Sequence, residues 1–137
     1  MSNNRAADEA AIQAVLSDSY KAWAAGDADA MVANYTTDAT AIMTGSLRDS
    51  RAVIRHIMAL AFEGPLAGSS TYNKQLSIRF LGQDAALVIS ESAILFAGET
   101  EVPGDERKVN ATWVFEKRDG QWLIAAYHNS PVLASAQ

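Results

Sequence analysis

Lys117-Arg118-Asp119-Gly120-Gln121-Trp122-Leu123-Ile124-Ala125-Ala126-Tyr127-His128-Asn129 has the form of a closing β-hairpin. An Asp-Gly pair between two apolar runs is among the strongest short-range hairpin signals. The turn admits two readings. A two-residue Asp119-Gly120 loop of type I′ pairs Arg118 with Gln121 and puts Trp113 on one face with Phe115, Ile124, Ala126 and His128. A three-residue loop, with Gly120 left-handed in a bulge, shifts the register by one residue and flips the partner strand. Trp113 then shares its face with Phe115, Leu123, Ala125, Tyr127 and Asn129. The second reading is preferred, because an apolar face carrying a single amide is what a ligand pocket uses. The opposite face, with Thr112, Val114, Ile124 and His128, suits pairing with a second subunit.

Working back from this hairpin, Lys108 to Lys117 and Ala85 to Phe96 read as strands, joined by a polar loop over Gly98 to Asp105. Tyr72, Lys74, Leu76, Ile78 and Phe80 alternate with Asn73, Gln75, Ser77 and Arg79, which predicts a strand with one apolar and one polar face. Further upstream the period changes to that of a helix. Ile12, Val15, Leu16, Ser19, Tyr20 and Trp23 form one helical stripe. Gly26 is placed to end that helix in a left-handed conformation, and Asp27 to cap a second over Ala28 to Tyr35. Met31 and Tyr35 would share its inner face, and Asp38 would fix the turn that follows. Ala39 to Thr44 reads as a short strand, and Gly45-Ser46 as a turn. Asp49 or Ser50 can cap a third helix over Arg51 to Phe62, stopped by Gly64-Pro65. Helices followed by a four-strand antiparallel meander indicate an α+β fold, with the helices packed on one sheet face.

The chain has 137 residues, with 11 Lys and Arg against 16 Asp and Glu, for a net charge of −5. At 49% hydrophobic residues it has the profile of a globular domain, and one domain over residues 1–137 is the natural reading. An acidic chain without a clustered basic face argues against a nucleic-acid partner and an anionic membrane surface. No apolar run approaches the roughly 20 residues of a membrane span. The first residues, Met1 to Glu9, lack the apolar stretch of a signal peptide, so a cytoplasmic protein is the expectation. Cysteine is absent, which removes disulfides, thiolate nucleophiles and cysteine zinc sites.

Several short motifs stand in a telling order. They are Trp23 with Ala25-Gly26-Asp27; Tyr35 with Asp38-Ala39-Thr40; Phe80-Leu81-Gly82-Gln83-Asp84-Ala85-Ala86; and the closing run from Lys117 to Asn129. Together they resemble the nuclear-transport-factor-2-like superfamily, also described as SnoaL-like or ketosteroid-isomerase-like. The resemblance covers about residues 8–133 and is nearest to the SgcJ/EcaC-type branch, whose chains end in a similar aromatic-His-Asn run. It implies a cone, with a curved, mostly antiparallel sheet wrapped over three helices and open to a cavity. It also implies a homodimer through the outer sheet face. In a relative, the association domain of calcium/calmodulin-dependent kinase II, the final strand supplies a polar pocket residue at the place of Asn129. That domain also has a pocket residue at the place of Trp113. The family includes isomerases, cyclases, dehydratases and non-enzymatic binding modules, so the fold alone names no reaction.

Ketosteroid isomerase requires a carboxylate base just after its Asp-Ala-Thr run. That place falls on Met43, which accepts no proton, so isomerase chemistry of that kind is not expected. The phenolic donor of that enzyme falls near Ser19, with Tyr20 adjacent and pointing elsewhere. No glycine-rich dinucleotide fingerprint is present, and no cofactor is expected. His56 and His128 lie on different elements, with no i,i+4 pair and no nearby Glu, a weak case for a metal, and no metal site is expected. The leading expectation is a homodimer that binds a small, mostly apolar molecule, in a setting such as natural-product metabolism. Tyr20, Tyr35, Met43, Met58, Trp113, Tyr127 and Asn129 would form the ligand-binding set. The Asn129 amide would orient a carbonyl or hydroxyl, its alternative role being to cap the strand end. Trp23 and Tyr20 also suit core packing, and Trp122 would brace the hairpin or a subunit contact. Two alternatives stand beside this reading. One is a cofactor-free cyclase, dehydratase or isomerase with His128 as acid–base, which needs the two-residue turn. The other is a dimeric association module whose cavity is filled by its own side chains.

Overall fold

The computed structural model describes residues 2–133, with side chains placed from Arg5 onward. Helix α1, Ser2–Ala24, buries the expected stripe: Ile12, Leu16 and Ser19 are buried, and Val15, Tyr20 and Trp23 partly so. Gly26 ends the helical run at φ 66°, a conformation that costs glycine nothing. The Asp27 carboxylate then accepts the Ala30 N–H at 3.0 Å and caps helix α2, Ala28–Val32.

Helix α2 is shorter than the sequence pattern suggests. Tyr35 opens strand β1, Tyr35–Met43, where a helix was expected to continue. The aromatic and β-branched run Tyr35-Thr36-Thr37 favours a strand, and a distant partner is available. The Ile124 N–H donates to the Asn34 carbonyl at 2.8 Å, and Tyr35 pairs with Ile124. Asp38 therefore fixes no turn. It stands exposed in the irregular stretch between Tyr35 and Thr40 and pairs with Arg118 at 3.4 Å. The chain next reverses through Thr44-Gly45 into strand β2, Ser46–Arg48, where only a turn was anticipated. Ser50 caps helix α3, Arg51–Glu63, by accepting the Val53 N–H at 3.1 Å.

Strands β3 (Ser70–Phe80), β4 (Ala85–Leu95), β5 (Val109–Arg118) and β6 (Gln121–Pro131) form the expected antiparallel meander. The sheet order is β2-β1-β6-β5-β4-β3, with β1 parallel to β6. The fold is α+β: three helices pack on a curved, six-stranded sheet that does not close. Phe115 and Ile124, both at 0% exposure, sit at its centre. Each such side chain contributes about 1.5–3 kcal/mol through burial.

The closing hairpin corrects one expectation and rescues its consequence. Asp119 and Gly120 both have positive φ, 51° and 77°, and Arg118 pairs with Gln121. The turn is thus the two-residue type I′ form, not the preferred three-residue loop. Near the turn, Phe115 faces with Ile124, as that form requires. A bulge then intervenes. Phe115 pairs with Ile124 but Val114 pairs with Ala126, which leaves Ala125 unpaired. Beyond it the facing inverts, so Trp113 pairs with Tyr127 and Ala111 with Asn129. A second bulge, at Leu76, works the same way in β3. Ile78 and Phe80 pack on the core, but on the far side of the bulge Thr71 and Asn73 face inward, and Leu76 itself is 51% exposed. The uniform apolar face expected of this strand does not form.

Candidate functional site

The inner face of the sheet and helices α1 and α3 enclose a cavity of 370 Å³. That size lies within the roughly 300–1,000 Å³ range of small-molecule sites. Helix α1 contributes Ser19, Tyr20 and Trp23 from consecutive turns, and α3 contributes Ile54, Met58 and Ala61. Strand β1 supplies Tyr35, Ala41 and Met43, which alternate inward. Past their bulge, β5 and β6 supply Trp113, Tyr127 and Asn129. All seven residues proposed from sequence as a ligand-binding set therefore line this one cavity. Tyr20 does not point elsewhere but stands on its wall beside Ser19.

Aromatic packing holds the floor in shape. The Trp113 and Tyr127 rings lie 4.5 Å apart at 56°, and Tyr20 meets Trp113 edge-on at 6.3 Å. Trp23 packs edge-on against Phe62 at 5.6 Å and donates its Nε1–H to the Ser69 hydroxyl at 2.9 Å. The Asn129 amide lies within the cavity wall, where its Nδ2 donates to the Tyr127 hydroxyl at 2.8 Å. That bond leaves the Tyr127 O–H proton free to point at an acceptor. Burial pushes the Tyr20 phenol up to about 12 and also raises those of Tyr35 and Tyr127. All three are neutral hydrogen-bond donors at physiological pH. Trp113 Nε1 is buried without a hydrogen-bond partner among the described residues.

His128 is not part of this site. It is exposed, pairs with Thr112 and Ile42, and does not line the cavity. The two-residue turn by itself would have brought it inside; the Ala125 bulge turns it out. The acid–base role considered for His128 is thereby removed. His56 is likewise exposed on α3. Trp122 spans the hairpin, pairing with Lys117, whose ammonium lies 5.9 Å from its ring. It is buried, donates to Asp8 Oδ1 of α1 at 2.9 Å, and meets the Phe80 ring at 6.0 Å.

Two arginines on the cavity wall were not anticipated. Arg107 is held by Glu99 at 2.7 Å and donates to the Ile94 carbonyl at 2.8 Å. Arg48 arrives through the β1–β2 hairpin. Its register partner is Ala41, an inward-facing residue, so Arg48 faces inward too. Gly45, at φ 76° ahead of the alternating Ser46-Leu47-Arg48, was the signal that a strand returned here. Among the described residues, no Asp, Glu or His lines the cavity.

Comparison with known proteins agrees with this architecture. The chain superposes on a cystatin-like domain of unknown function from Nostoc punctiforme with a TM-score of 0.84 and 26% identity. That match covers 93% of this chain and 79% of the other. It is similar to an NTF2-like protein of cystatin-like fold from Novosphingobium aromaticivorans, with a TM-score of 0.80 and 20% identity, over 94% and 84% of the two chains. It is also similar to the hexachlorocyclohexane dehydrochlorinase LinA-type3 of Novosphingobium barchaimii, at a TM-score of 0.78 and 16% identity, over 94% and 89%. No curated protein matches its sequence. The sequence pattern of the SnoaL-like domain matches residues 12–134. That match spans most of the 137 residues, and the chain belongs to the SnoaL-like domain family.

Proposed function

We propose that this protein binds a small, mostly apolar molecule in the cavity between its sheet and helices α1 and α3. The observation that carries this reading is a 370 Å³ space walled by aromatic rings and methionines, with a few polar groups set among them. Such a wall releases water cheaply and leaves the polar groups to orient the occupant. The reading extends to the SgcJ/EcaC-type branch and to natural-product metabolism, supported by the closing Tyr127-His128-Asn129 run.

Binding is favoured over the two alternatives for specific reasons. An association module needs no open interior, yet the side chains here leave one unfilled. A cofactor-free cyclase or dehydratase needs a group that exchanges a proton near neutral pH. The cavity offers raised phenols but no imidazole or carboxylate among the described residues. A screen of one- and two-ring aromatic compounds by ligand-observed NMR tests the proposal. Hits are expected to weaken at least ~10-fold in both Asn129→Ala and Trp113→Ala, a loss on the order of one hydrogen bond or one ring contact. Unchanged affinity in both folded variants rejects the site.

A further inference from the structure

Arg48 stands out in this cavity. It is the one lining cation without a carboxylate partner among the described residues, since Arg107 is paired with Glu99. Two of a guanidinium's five donors are used, both weakly. Nε reaches the Ser46 hydroxyl at 3.3 Å, and Nη1 reaches the Met58 sulfur at 3.3 Å. Thioether sulfur is a poor acceptor and carries no charge to offset the guanidinium. The Tyr35 and Tyr127 phenols are close enough to feel the arginine's charge, but neither is ionised. Burial itself works against the charge on Arg48. A half-buried cation with unused donors and no counter-charge is costly unless something supplies an anion.

A second observation points the same way. Trp113 Nε1 is a buried donor without a partner, on a side chain that lines the same cavity. The Tyr127 hydroxyl, its oxygen already accepting from Asn129, has its proton to give. The wall that carries Arg48 thus also carries an unpartnered N–H and a hydroxyl with its proton to give.

We infer that Arg48 is an anion subsite, and that the occupant is an apolar ring system bearing one carboxylate, held by the guanidinium with its rings against Trp113 and Met58. A planar guanidinium matches a carboxylate through two parallel N–H bonds. This inference rests on the binding reading above and adds the charge of the ligand to it.

Two probes of one shape, 2-naphthoate and 2-naphthamide, separate the two ideas by titration calorimetry at pH 7. Naphthamide reports the apolar cavity; the excess affinity of naphthoate reports the anion subsite. The wild-type protein is expected to bind naphthoate at least ~10-fold more tightly, equivalent to about 1.4 kcal/mol. In Arg48→Met that preference should vanish while naphthamide affinity stays within about twofold. Arg48→Lys should keep part of the preference, because it keeps the charge. If wild-type protein binds the two probes equally, the cavity reading stands and the anion subsite is overturned. If Arg48→Met, folded by circular dichroism, loses both probes alike, the arginine merely supports the wall and the inference also fails. If neither probe binds the wild type, the cavity reading falls and takes the subsite with it.

Discussion

Asp8 and Trp122 show how one pair ties the first helix to the last strand. The Asp8 carboxylate accepts from Trp122 Nε1 at 2.9 Å and lies 3.4 Å from the Lys117 ammonium. The Trp122 hydrogen bond outweighs the upward pull of burial and, with Lys117 and Arg5 adding to it, holds the Asp8 pKa below its ordinary 3.8. A carboxyl lowered on folding adds stability that is complete above its unfolded value. That stability is lost as the pH falls from about 4 through the folded value. Asp8→Asn keeps an acceptor for the indole but not the charge. At pH 7 it should cost roughly 1 kcal/mol in urea unfolding. The gap between variant and wild type should narrow by pH 3, and a gap that persists unchanged there would show that the charge contributes nothing.

At the scale of elements, the last hairpin is set by two local features that act in opposite directions. The type I′ turn fixes one register and the Ala125 bulge inverts it six residues before the strand ends. Gly120 sits at φ 77° with open space where a Cβ would be, so Gly120→Ala meets no clash and costs only backbone conformation. That cost is about 1–2 kcal/mol, and should appear as a lower urea midpoint with an unchanged m-value. A changed m-value would mean that the register slips instead. The same hairpin logic explains the missed strand β2. A three-residue strand carries too few residues to show a period, and only pairing with β1 makes it one.

At the scale of the whole molecule, the outer sheet face lies opposite the cavity. Ile42, Thr112, Ile89 and Val114 fall on it by register, opposite the faces that line the cavity. We propose that this face pairs two copies of the chain, which covers branched apolar side chains on an otherwise solvated sheet. Light scattering should give twice the 14.7 kDa chain mass. Ile89→Lys should return a monomer that still binds in the cavity. A wild-type monomer at tens of micromolar would reject the pairing. No helix among the described residues is long and apolar enough to cross a membrane.

Helix periods, caps and the antiparallel meander were legible in the residues themselves. They depend on neighbours three or four positions apart, or on a turn dipeptide, and Ile12 through Trp23, Gly26-Asp27 and Asp119-Gly120 spell them out. The cavity set was legible as well, although Trp113, Tyr127 and Asn129 came to face inward for a different reason than the turn. Tertiary structure alone decided the two bulges, the early start of β1 at Tyr35 and the inward turn of Arg48. A sheet that must curve over three helices cannot keep a strict two-residue alternation along every strand. Where it yields, at Leu76 and Ala125, is fixed by packing between distant segments, which no local pattern encodes.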